Sequence, residues 1–138
     1  MMKKFRAFQI NEKEERIVAS FKRLSISDLS EGNVIIKVTH STINYKDALA
    51  ATGKGKILRR YPLVGGIDLA GVIEETSSSD FSVGDSVLVN GCGLSETRDG
   101  GYAEYARVPA ETVIAIPSNL DNRKAMQIGT AGYTAALA

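Results

Sequence analysis

Two short stretches of the 138-residue chain hold the side chains best suited to chemistry. The first is Asn44-Tyr45-Lys46-Asp47, a polar cluster at the end of an apolar run. The second is Asp68, which stands between the glycine pair Gly65-Gly66 and the small apolar run Leu69-Ala70-Gly71. A carboxylate in such surroundings is costly unless it has a partner or a task. A basic loop with Gly53, Lys54, Gly55, Lys56, Arg59 and Arg60 joins the two stretches. This arrangement predicts that Ser41 to Gly71 supplies the walls of one cleft.

A tyrosine hydroxyl in such a cleft can donate to a developing oxyanion or relay a proton. An asparagine offers both donor and acceptor groups. Each residue also has a plainer role. Tyr45 can simply pack, and Asn44 can cap a loop. Asp68 can be a buried carboxylate that accepts backbone N–H bonds or pairs with Lys46 or an arginine. His40 is the only histidine and has no orienting carboxylate beside it in sequence, which favours a structural role. Cys92 is the only cysteine, so neither an intrachain disulfide nor a multi-thiolate zinc site is available. Between two glycines it reads as a passive buried thiol.

The elements that must position these residues are mostly strands. Phe5 to Ile10 alternates, the charge run Asn11 to Arg16 reads as a hairpin connection, and Ile17 to Arg23 returns. Val34 to His40, Leu69 to Glu75, Val87 to Asn90, Tyr102 to Val108 and Val113 to Ile116 follow as further strands. A short helix is predicted over Asp47 to Ala51 with Asp47 as its N-cap. Helices over Asn119 to Gln127 and from Thr130 to Ala138 close the chain. Six to eight short strands with glycine-rich turns predict a mainly β fold with short helices, a small and partly open barrel.

Composition narrows the rest. A net charge of +1 marks no nucleic-acid footprint, and no apolar run approaches the ~20 residues of a membrane span. The start MMKKFRAFQI lacks the apolar core of a signal peptide, so the expected setting is cytoplasmic. No G-x-G-x-x-G turn is present: Glu96 stands in the third position after Gly91 and Gly93, and Leu58 after Gly53 and Gly55.

Four ordered motifs carry a resemblance: NYKDALAATGKGK (44–56), YPLVGGIDLAG (61–71), GGYAEYARV (100–108) and IGTAGYTAAL (128–137). Together they resemble the amino-terminal, GroES-like catalytic domain of medium-chain dehydrogenases/reductases, nearest the zinc-free quinone oxidoreductase and acrylyl-CoA reductase branch. The resemblance implies a GroES-like domain over 1–127 and the start of an inter-domain helix over 128–138. The Rossmann domain that follows in that family lies outside this chain, so the sequence reads as the substrate-side part, nearly inactive alone. It also implies a frayed or re-docked C-terminus and an exposed apolar cleft wall.

The same resemblance implies an NADPH-dependent reduction of quinones or of α,β-unsaturated carbonyl and enoyl thioester substrates, in a homodimer, with small-molecule partners only. Asn44 falls where zinc-dependent members carry a cysteine ligand, Ile67 where they carry a histidine, and Asp68 on the acidic position. No cysteine or histidine lies between Met126 and Tyr133, and a metal-free site is expected. Catalytic roles then fall to Tyr45 and Asp68, and cofactor contacts to Asn44, Tyr45 and Thr130. Thr130 matches a family position near the nicotinamide, with a helix N-cap as its plainer role. The basic loop offers charges for the phosphates of a CoA ester or of NADPH. Arg98-Asp99 departs from the histidine-tryptophan pair many members of the branch carry before the double glycine. The competing reading is a non-catalytic barrel module that binds partners through the same cleft.

Overall fold

The computed structural model describes residues 3–138. Its strands are β1 (Phe5–Lys13), β2 (Arg16–Leu24), β3 (Val34–Ser41), β4 (Leu63–Val64), β5 (Asp68–Thr76), β6 (Ser86–Asn90), β7 (Tyr105–Val108) and β8 (Ile114–Ala115). Two helices, α1 (Tyr45–Thr52) and α2 (Asn122–Leu137), complete it. The strands form a three-stranded sheet, β2-β1-β4, and a five-stranded sheet, β7-β3-β5-β6-β8, which do not close into one cylinder. The expected mainly β, partly open barrel is the fold found.

The charge run turns out to be mostly strand. Glu14 and Glu15 both have positive φ, 49° and 62°, the pattern of a two-residue type I′ turn. The ladder therefore runs unbroken from Phe5 opposite Leu24 to Lys13 opposite Arg16. Charges at its tip are solvated and keep the outer edge from pairing with another chain.

Alternation along the larger sheet sorts residues to two faces. Val34, Ile36, Leu69, Ile73, Val87 and Val89 are buried together in one core. Each such side chain contributes about 1.5–3 kcal/mol by leaving water. Their neighbours Asp68 and Ala70 fall on the opposite face, which α2 covers through buried Ala125, Met126 and Gly129.

Several expectations need correction. The first helix begins at Tyr45, two residues before Asp47, because Asn44 holds the extended N-cap position and Asp47 sits at the third helical residue. The strand expected from Tyr102 begins at Tyr105, since the Tyr102 backbone is engaged by Gly65 and Phe8. The last strand shortens to Ile114–Ala115. The first terminal helix starts at Asn122 rather than Asn119, and the second follows it across a kink at Gly129. The C-terminal segment is helical through Leu137 rather than frayed, while Ile128, Tyr133 and Leu137 are exposed as the apolar wall requires. Cys92 is exposed at the turn after β6, not buried.

Candidate functional site

Four segments meet at one carboxylate. Asp68, the first residue of β5, is wholly buried. Its Oδ2 accepts from Thr42 Oγ1 (2.8 Å), Asn44 Nδ2 (3.1 Å) and the Thr130 backbone N–H (3.1 Å). Its Oδ1 accepts from the Thr130 hydroxyl. These donors come from the end of β3, the start of α1 and the kink of α2, so Asp68 ties together elements far apart in sequence. The expected pairing with Lys46 or an arginine does not occur: Lys46 instead meets Glu96 at 2.9 Å. Neutral donors replace a cation because Lys46 lies on the exposed side of α1.

The α2 kink follows from this contact. Gly129 has φ 52° and ψ −162°, outside helical geometry. An added Cβ would lie 3.0 Å from Thr42 Cγ2 and 3.2 Å from Asp68 Oδ2, so only glycine allows the close approach. The kink releases the Thr130 N–H, and Asp68 takes it. Thr130 therefore does not cap the second helical stretch with its own side chain; Asp68 caps it from another strand.

A second carboxylate lies beneath Asn44. Buried Asp47 accepts the Asn44 backbone N–H at 2.8 Å through Oδ2 and the Ile67 N–H at 3.0 Å through Oδ1. Asn44 Nδ2 lies 2.7 Å from Thr42 Oγ1 and 3.1 Å from Asp47 Oδ2, in addition to its bond to Asp68. The donor side of the Asn44 amide is thus spent on the protein. Its Oδ1 completes a capping box with the Asp47 backbone N–H and keeps a second lone pair as an acceptor for a ligand. Tyr102 closes the cluster by donating to the Thr42 carbonyl at 2.7 Å. Burial, reinforced by the nearby Asp47 and Asp68 charges, pushes its hydroxyl well above the ordinary tyrosine range, so it stays neutral.

Asn44 and Thr130 are both brought into direct contact with Asp68. Tyr45 follows Asn44 but points its ring to solvent, 81% exposed, with no hydrogen bond among the described residues. Ile43, 90% exposed, flanks the other side. Sequence reasoning missed Thr42, the double role of Asp47, and Tyr102. For Thr42 the available signal was its place two residues before Asn44 at the end of a strand. His40 is exposed, with its Nδ1 3.0 Å from Thr39 Oγ1. In the basic loop, Arg60 donates to the Thr97 carbonyl and to Ser30 Oγ, and Arg59 approaches Glu96 at 3.7 Å. Lys54 and Lys56 are exposed. Asp99 is a buried structural acid that accepts from Ser30 and from the Val64 N–H.

A zinc ion fits this donor set poorly. Protein zinc sites use thiolate and imidazole ligands, with carboxylates as companions. The groups bonded to Asp68 are two threonines and an asparagine, and its oxygens are already occupied by protein donors.

Comparison with known proteins agrees with the fold and the motif order. The probable acrylyl-CoA reductase AcuI of Escherichia coli is 47% identical over 131 residues, 95% of this chain and 40% of that protein. The putative quinone oxidoreductase YhfP of Bacillus subtilis is 43% identical over 133 residues, covering 96% and 40%. The chain thus spans about two fifths of the length of these curated relatives. Among solved structures, the yhdH oxidoreductase of Salmonella enterica in complex with NADP superposes with a TM-score of 0.93 at 44% identity, over 96% of this chain and 41% of that one. The Bacillus subtilis yhfP protein with NAD bound gives 0.94 at 42% identity, over 98% and 41%. The family model for the alcohol dehydrogenase GroES-like domain matches residues 30–118, and the chain belongs to that family.

Proposed function

We propose that this chain is the substrate-facing domain of an NADPH-dependent, zinc-independent oxidoreductase that reduces quinones or enoyl thioesters. The observation that carries the reading is the Asp68 cluster. It holds Asn44 and Thr130 side by side, next to Tyr45, without a thiolate or imidazole to bind a metal. The names of the relatives, an acrylyl-CoA reductase and a quinone oxidoreductase, support the substrate class.

A nicotinamide held here would supply the hydride. The residues of this chain do the rest. Asn44 Oδ1 and the Thr130 hydroxyl oxygen, whose proton is given to Asp68, are acceptors for the carboxamide N–H groups. Asp68 fixes both through bonds that need no rearrangement during reaction. The buried carboxylates of Asp47 and Asp68 create a negative potential that favours positive charge developing as hydride departs. Neither can act as an oxyanion donor, and the Asn44 amide protons are already committed. That leaves Tyr45: its hydroxyl is free to donate to the enolate or phenolate oxygen formed when hydride adds to a conjugated C=C bond or a quinone.

The test is NADPH oxidation by the full-length protein with a small quinone and with acrylyl-CoA, in the presence of a chelator. Sustained turnover with less than stoichiometric metal supports the reading. Activity abolished by the chelator and restored by zinc, or no NADPH oxidation with either substrate, overturns it.

A further inference from the structure

Away from the Asp68 cluster, one face of the β1–β2 hairpin carries two cations without a counter-charge. Arg6 lies directly opposite Arg23 in the antiparallel ladder, and both are exposed. Like charges placed so destabilise a strand pair, and an acid between them would offset the repulsion. None does so among the described residues. Glu104 comes close, but it accepts the Arg6 backbone N–H at 2.6 Å and pairs with neither guanidinium; the ion pairs present join Glu96 to Lys46 and Arg59.

The next pair along the same face is aromatic. Phe8 and Phe21 are also directly opposite, and alternation puts them on the side of Arg6 and Arg23. Their rings meet edge to face with centroids 5.5 Å apart. The Arg6 guanidinium lies 5.4 Å from the Phe21 ring centre, yet Phe21 remains 67% exposed. Arg6, Phe8 and Phe21 line a groove of about 400 Å³ together with His40, Ser41 and Tyr102. This groove borders the described site. Ser41 Oγ donates to the Asp68 carbonyl at 2.6 Å, and Tyr102 donates to that of Thr42 at 2.7 Å.

We propose that this groove holds the nucleotide end of a coenzyme A thioester, with a phosphate on Arg6 and Arg23 and the adenine against Phe21. The inference rests on the enoyl-thioester reading above and narrows it. A guanidinium fork matches the oxygens of a phosphate, and an exposed aromatic ring offers its face to a base. A ligand that meets both needs joins a phosphate to a flat heterocycle, as an adenosine phosphate does. A small quinone carries no phosphate. NADPH carries an adenosine phosphate too, and the experiment below separates the two sources. The pantetheine arm parts the nucleotide of a CoA ester from its thioester, so the nucleotide lies in the groove while the acyl group reaches Tyr45. Coenzyme A carries several phosphates, and the loop of Lys54 and Lys56, which adjoins the far end of the hairpin near Ile17, would meet a different one.

The experiment compares acrylyl-CoA with acrylyl-N-acetylcysteamine, which keeps the acyl group and the thioester and lacks the nucleotide. KM for each, and for NADPH, is measured with the full-length protein as wild type, as the double variant Arg6→Gln with Arg23→Gln, and as Phe21→Ser. The expected result is a KM for acrylyl-CoA raised about tenfold in the double variant and about fivefold in Phe21→Ser, the range of lost phosphate and stacking contacts. KM for the truncated thioester and for NADPH stays at the wild-type value. Adenosine 3′,5′-bisphosphate competes with acrylyl-CoA on wild type and about tenfold more weakly on the double variant. An equal rise for both thioesters, no rise for either, or a rise for NADPH in place of acrylyl-CoA overturns the groove assignment and leaves the reductase reading intact. Wild-type protein that reduces a quinone and neither thioester does the same. No NADPH oxidation with any of these substrates overturns both.

Discussion

Removing the Asp68 side chain should do much more damage than neutralising it. In Asp68→Ala, four hydrogen bonds to the carboxylate are lost. The Thr42 and Thr130 hydroxyls can turn to other acceptors, but the Thr130 N–H cannot, and it is left buried at the α2 kink. Adding one orphaned donor at about 1–3 kcal/mol to the lost charge-assisted bonds and the small void gives about 3–5 kcal/mol. Domains of this size have about 5–15 kcal/mol in total. The melting temperature should therefore fall by about 10–20 °C. Asp68→Asn keeps the volume and one acceptor oxygen for the three donors at Oδ2. Its new NH2 can donate to a rotated Thr130 hydroxyl, so the loss should be only about 1–2 kcal/mol. Thermal unfolding of both variants, with hydrogen exchange at the Thr130 amide, is the assay. Faster exchange there in the alanine variant alone is expected. Equal losses in the two variants, or an alanine variant within about 0.5 kcal/mol of wild type, would refute the view that Asp68 holds the site together.

Other consequences are quicker to state. Tyr45→Phe should leave stability unchanged within about 0.5 kcal/mol, since the side chain is exposed, yet slow turnover by about a hundredfold; unchanged kcat removes Tyr45 from the mechanism. Because the folded-state pKa of Tyr102 is raised above its ordinary value of 10.0, the native state holds that proton when the unfolded chain has lost it. Its contribution is complete below that value and lost as pH rises above it, so stability should decline on the alkaline side, and Tyr102→Phe should flatten the decline. A decline of the same steepness in the variant assigns it to other groups. Replacing Lys54 and Lys56 together by alanine should raise KM for a CoA ester and not for a small quinone; equal effects on both would exclude phosphate recognition by this loop.

The strands were legible because their interior residues alternate in type: Val34, Ile36 and Val38 announce one face without reference to any other segment. The site was legible only as types and positions. Asn44, Asp68 and Thr130 could be named, but what they do depends on a kink at Gly129, and a glycine looks the same in sequence whether or not a carboxylate approaches it. Asp47 was read as the cap because it opens the helix-like run to Ala51. The extended backbone at Asn44 decided otherwise and turned Asp47 inward toward the Ile67 amide. Cys92 illustrates the same limit. Between two glycines it reads as buried, yet three consecutive positive φ values lift it to the surface. Burial of polar groups such as Asp99, bonded by Ser30, is set by contacts over long sequence separations, which local patterns do not encode.

The most direct measurement is a crystal structure of the full-length protein with NADPH bound. The account predicts the nicotinamide carboxamide within hydrogen-bonding distance of Asn44 and Thr130, the Tyr45 hydroxyl facing an open substrate position, and Asp68 still bonded to its four protein donors. A metal ion coordinated by Asp68, or a nicotinamide ring lodged away from this cluster, would contradict it.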